Sequence, residues 1–236
     1  MRYRHLLLAI FLSGCGSDAL REVPSQPHQL APETVGELAT DVFEISDTTI
    51  HSYGDTVYPD TEHLAVGIAN GADFYDPSLA SARIHRALVR LDEIPDGVVT
   101  GWRLKIWQVS ALGEGLADIH RLSDVNEWNE SGADWTHSNH AIEAPWGGSR
   151  RGLGAIGRDF DSVSEPTRPT IAYSPATNGL HTITLPAIWL EEWRDGVRAN
   201  NGMVIRGRYD AGEDLAVFYS SDSDEHPLTF EVDIAP

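Results

Sequence analysis

Three observations predict an all-β sandwich or barrel with one short helix. Short segments with apolar residues at every second position recur along the chain, Gly, Asp, Asn and Pro punctuate them, and a single stretch carries helical spacing. The predicted strands, in chain order, are residues 87–91, 102–109, 181–185, 202–206, 215–219 and 228–234. The clearest is 102–109, where Trp102, Leu104 and Ile106 fall on one face and Arg103, Lys105 and Trp107 on the other. In 228–234, Leu228, Phe230, Val232 and Ile234 alternate with polar residues, the pattern of an antiparallel sheet with one buried and one wet face. The helix is predicted over 188–197. Pro186 stands at its start, Trp189 and Trp193 are spaced to share a face, and Asn200, Asn201 and Gly202 close it.

A chain of 236 residues, 41% hydrophobic and 22% charged, has the apolar content to build a core, which excludes disorder of the whole chain. No apolar run approaches the ~18 residues that span a bilayer as a helix. Against 36 acidic side chains stand 17 basic ones, and Lys105 is the only lysine. A net charge of −19 is the reverse of what phosphate-backbone binding needs, so nucleic acid is excluded as a partner.

The N-terminus reads as an export signal, with Arg2 and Arg4 before the apolar stretch 6–12. The chain's single cysteine, Cys15, directly follows Leu12, Ser13 and Gly14, a pattern that resembles the lipobox of bacterial lipoproteins. That resemblance implies lipidation of the Cys15 thiol, with palmitate among the acyl groups, and cleavage before it. A lone cysteine in an exported protein has no disulfide partner, which fits an anchor better than a free thiol. Gly16 follows the cysteine where an Asp would retain a lipoprotein in the inner membrane, so display at the outer membrane or cell surface is expected. The expected organisation is therefore a signal peptide over 1–14, a lipidated N-terminus and linker with Pro24, Pro27 and Pro32 over 15–39, and one β-sandwich domain over 40–236. Membrane contact is expected through the lipid alone.

Six motifs then carry a resemblance: RALVRLDEIPDG at 86–97, the strand RLKIWQV, NEWNESGADW at 126–135, a helix ending in Trp193, NNGMVIRG at 200–207, and VFYSSDS at 217–223. In that order they are similar to the DNRLRE domain, also classed as carbohydrate-binding module family 96. Residues 47–50 and 64–67 resemble its opening strand and first turn. The resemblance implies a jelly-roll β-sandwich on secreted and surface proteins, with polysaccharide, in some members acidic polysaccharide such as alginate, as the partner. It also implies that Trp128, Trp135 and Trp193 are core residues.

Candidate chemistry is sparse. Gly152, Gly154 and Gly157 spell GxGxxG but lack a βαβ context, and read as a loop. His137 and His140 near Asp134 have weak metal spacing. No nucleophile elbow, zinc-helix signature or selected carboxylate pair is present, so a non-catalytic protein without an organic cofactor is expected. Sugar rings stack on exposed aromatic faces, and two tryptophans are left over for that role. Trp107 lies on the polar face with Arg103 and Lys105, and Trp146 sits beside Arg150 and Arg151, with Arg158 and Arg168 further on. Arginine forks onto carboxylates bidentately, as uronates would require. Trp107, Arg103, Lys105, Trp146, Arg150 and Arg151 are thus the expected carbohydrate-binding residues. Asp222, Asp224 and Glu225 resemble oxygen clusters that hold structural calcium. The alternative reading is a structural or adhesive surface protein with no sugar site.

Overall fold

The computed structural model describes residues 43–52, 61–69, 83–124, 127–139, 144–146, 153, 159–161, 168–208 and 214–235. The expected signal peptide, Cys15, the linker, Gly152, Gly154 and Gly157 of the GxGxxG stretch, His140, Arg150, Arg151 and Arg158 lie outside the described residues.

In chain order the elements are β1 (Ile45–His51), β2 (His63–Ala69), β3 (Arg83–Leu91), β4 (Val98–Leu112), β5 (Gly115–Arg121), β6 (His137–Asn139), β7 (Ala144–Pro145), β8 (Thr170–Tyr173), β9 (Gly179–Thr184), α1 (Ala187–Arg194), β10 (Met203–Gly207), β11 (Asp214–Tyr219) and β12 (Thr229–Ala235). Ten strands form one antiparallel hydrogen-bonded network, and β6 and β7 pair separately. The fold is the all-β, jelly-roll-like sandwich expected, with one helix among the described residues. None of its helices is long and apolar enough to cross a membrane, again among the described residues.

Two long strands change partners along their length, and this turns one network into two layers. β3 pairs with β1 on one edge, while β10 (at Arg86–Val89) and β2 (at Arg83–His85) share the other. β4 pairs with β9 on one edge, while β12 takes its first half and β11 its second half on the other. β1-β3-β10-β5-β8 therefore makes one layer, β9, β4, β12, β11 and β2 the other, and β2 joins them. The junction is Gly67, with φ +123°, where a Cβ would stand 1.8 Å from the Asp214 carbonyl oxygen, so only glycine fits.

Between the layers lies the main core, including Val89, Trp102, Leu104, Ile106, Ile119, Ile205 and Phe218. The helix lies on it through Trp189, Leu190 and Trp193. Trp102 meets Trp189 and Trp193 edge-to-face at 6.2 and 5.7 Å between ring centroids, a geometry that the ring quadrupoles favour. The helix ends at Arg194, three residues before the expected end, because Gly196 takes a left-handed φ of +67°.

One expectation fails on the first layer. Its outer face is not wet but carries a second core of Ile50, Leu88 and Val204, covered by Trp128, Trp146, Leu153 and Phe160 from the excursion after β5. Three arginines stack there on aromatic rings: Arg90 on Trp128 at 5.1 Å, Arg86 on Trp135 at 4.7 Å and Arg206 on Phe160 at 5.4 Å.

Candidate functional site

The second layer keeps its outer face open along β4, β9 and β12, whereas at β2 and β11 that face carries a third buried cluster of Ala65, Ala69, Leu215 and Val217; alternation along β4 puts Arg103, Lys105 and Trp107 on the open part. Pairing register sets their neighbours. Glu231 and Thr229 of β12 lie opposite Arg103 and Lys105, while Thr184, Thr182 and Leu180 of β9 lie opposite Arg103, Lys105 and Trp107. The Arg103 Nε donates to Glu231 Oε2 at 3.1 Å, its Nη2 donates to Asp233 Oδ1 at 2.8 Å, and Lys105 Nζ donates to Glu231 Oε1. Hydrogen bonds from Lys105 and then Arg103 hold the Glu231 carboxyl below its ordinary range. The expected positive platform is thus corrected to a charge-balanced one, two cations against two carboxylates. Local sequence around β4 could not show this, because the acids arrive from a strand more than a hundred residues away.

Trp107 is half-buried, and the imidazole of His226 stacks on it at 3.8 Å between centroids and 11° between planes. Behind His226 come Tyr219, at 5.7 Å, and His63, stacked on Tyr219 at 5.2 Å. Sequence reasoning missed Tyr219 and His226. The signal for Tyr219 was present, since it alternates with the inward Phe218; His226, in an acidic turn, carried none.

Beside this face opens a cleft of about 490 Å³, whose lining includes the apolar Phe43, Ile45, Leu228 and Phe230 and the charged Lys105, Glu231 and Asp222. That volume and that mixture of apolar and polar groups are within the range of ligand sites.

Trp146 is corrected outright. It is fully buried in the second core, and its Nε1 donates to the Asp134 carbonyl at 2.7 Å, so it has no face for a sugar. Arg168, expected near it, instead donates to Asp118 at 3.0 Å alongside Arg208 at 2.8 Å. Burial pushes the Asp118 carboxyl up, but these two guanidinium groups outweigh it and hold it below the usual carboxylate range.

The acidic turn behaves differently from the expected Asp222, Asp224 and Glu225 grouping. Glu225 accepts from the Tyr219 hydroxyl, while Asp222 converges with Asp47 and Glu130, all within 4.8 Å of one another. Calcium takes six to eight oxygens. Here one oxygen of Asp47 already accepts the Ser221 N–H at 2.7 Å, and one of Glu130 accepts the Asp47 N–H at 2.8 Å, so the trio offers an incomplete donor set. Burial, partly offset by Ser221 and reinforced by the charges of Glu130 and Asp222, pushes the Asp47 carboxyl up to about 7. Asp134 and His137 do meet, with Oδ2 and Nδ1 3.1 Å apart, but the same carboxylate also accepts the backbone N–H groups of Thr136 and His137 and closes a turn. Burial raises the Asp134 carboxyl, and the bonds from His137 and Thr136 together bring it below its ordinary value.

No family model matches the chain and no curated protein sequence matches it, so the likeness to the DNRLRE domain rests on its motifs alone.

Proposed function

We propose that this chain is a non-catalytic envelope lipoprotein, anchored through Cys15 at the bacterial outer membrane or cell surface, whose β-sandwich binds polysaccharide on the open face of β4. The observation that carries the reading is the half-buried Trp107, set on a flat, hydroxyl-bearing face of Thr182, Thr184 and Thr229 and adjoining the cleft at Lys105. A pyranose offers an apolar C–H face to such a ring and hydroxyls to such a rim. The ion-paired Arg103 and Lys105 remain donors, so a uronate chain reaches them in competition with Glu231 and Asp233, and a neutral chain meets no net repulsion from the four-charge set. Arg150 and Arg151, outside the described residues, stay part of the proposal as further uronate-pairing groups.

Calorimetry of the purified full chain with alginate, pectin and a neutral β-glucan tests this. Binding to at least one, weakened about tenfold by Trp107→Ala, is expected, a loss of about 1.4 kcal/mol. Binding that is absent for all three glycans, or unchanged in the variant, overturns it. For the anchor, Cys15→Ser is expected to abolish labelling by a fatty-acid probe and leave uncleaved precursor; normal labelling in the variant would refute lipidation.

A second reading, a structural or adhesive envelope protein without a sugar site, is favoured by the same ion pairs, because a face whose cations are already satisfied also suits a protein or matrix contact.

A further inference from the structure

Near β4 a loop residue occupies the space that the polysaccharide reading assigns to a ligand. The His226 imidazole lies flat on Trp107 with 11° between the planes, and it is itself exposed. Among the described residues it makes no hydrogen bond, and its contacts are the rings of Trp107 and Tyr219. A ring held only by stacking is held weakly, on the scale of one exposed aromatic contact. It sits one residue before Pro227, which lines the cleft, so a displaced His226 would open the Trp107 face and widen that cleft together.

We infer that His226 is a displaceable cover on the Trp107 stacking face, and that a sugar ring binds there by replacing the imidazole. The inference rests on the polysaccharide reading of this face and adds how access to it is controlled. The parallel stack shows that a flat ring fits against this indole face, and a pyranose has comparable breadth.

Two measurements on the full chain test the inference. The first is acrylamide quenching of tryptophan emission, taken as the difference between each protein and its Trp107→Phe counterpart, which isolates Trp107 without any sugar. His226→Ala is expected to raise that difference signal, and His226→Phe to leave it at the wild-type level; an unchanged signal in His226→Ala overturns the cover. The second is calorimetry with alginate and the neutral β-glucan. His226→Ala is expected to tighten binding about two- to tenfold, the worth of one exposed ring contact. His226→Phe keeps a stacked ring and is expected to bind as wild type does. Binding by wild type and His226→Ala with equal affinities ends the competition but not the polysaccharide reading. Absence of binding by both ends the reading and the competition with it.

Discussion

Tryptophans 107 and 146 look alike in sequence, each near two cationic residues, and differ entirely in the folded chain. Trp107 lies on a strand with strict alternation, so its outward direction follows from the pleat. Trp146 lies in a stretch with no period, and only the packing of the excursion onto the outer face of the β1-β3-β10-β5-β8 layer decides that it is buried. The same packing makes the two residues separable by mutation. Trp146→Ala removes a fully buried indole and its bond to the Asp134 carbonyl, and is expected to cost about 3–5 kcal/mol in urea unfolding while leaving glycan affinity unchanged in the folded fraction. Loss of binding at unchanged stability would return Trp146 to the site.

At the scale of elements, β1, β3, β4, β9, β10, β11 and β12 match expected segments to within a few residues, because each keeps an apolar set on the core side, while β2 is a strand where the resemblance implied a first turn at 64–67. β5 and β8 were missed. β5 is buried on both faces from Ala117 onward and places Asp118, His120 and Arg121 at buried positions, so its sequence shows neither alternation nor an apolar run. Burial pushes the His120 imidazole down to about 4, and the nearby Arg168 and Arg206 add to that. β2 depends on one residue for its role as the link between layers. Gly67→Ala is expected to destabilise by about 3 kcal/mol or more, since strain from the positive φ is joined by a clash with Asp214. Gly179→Ala is the control. Its φ is +131° with nothing within 4 Å of the added carbon, so it carries the strain alone and should cost clearly less. Equal midpoints for the two variants would show that the β2 junction tolerates a side chain.

Over the whole molecule, Asp47 ties three distant segments together, bonding Ser221 through its carboxylate and Glu130 through its N–H. Its folded pKa of about 7 lies above the ordinary value of 3.8, so between those limits the native state holds a proton that the unfolded chain has released. The contribution of this group to stability is therefore complete at about pH 4, falls as pH rises and levels off above about 7, a change on the order of 4 kcal/mol. His120 works the other way, since its folded value of about 4 is below 6.5 and its contribution grows as pH rises between them. The wild-type profile combines both, and Asp47→Asn separates them. Unfolding free energy measured from pH 4.5 to 8 is expected to show Asp47→Asn gaining on wild type up to about pH 7 and holding that gain above it; a constant difference would show that Asp47 is ionised throughout.

By itself the sequence determined the fold class, the helix at Trp189 and Trp193, the outward line of Arg103, Lys105 and Trp107, and the expectation of an anchored surface protein, because two-residue alternation, helical spacing, turn residues and an N-terminal cysteine are local signals. Tertiary structure alone decided what those residues meet. Register between β12 and β4 brought Glu231 and Asp233 onto the two cations, the turn before β12 laid His226 over Trp107, and the excursion after β5 hid Trp146. The physical reason is common to all three. A residue's direction follows from its own backbone, whereas its charge balance, its cover and its burial are set by chain segments brought to it from tens or more than a hundred residues away.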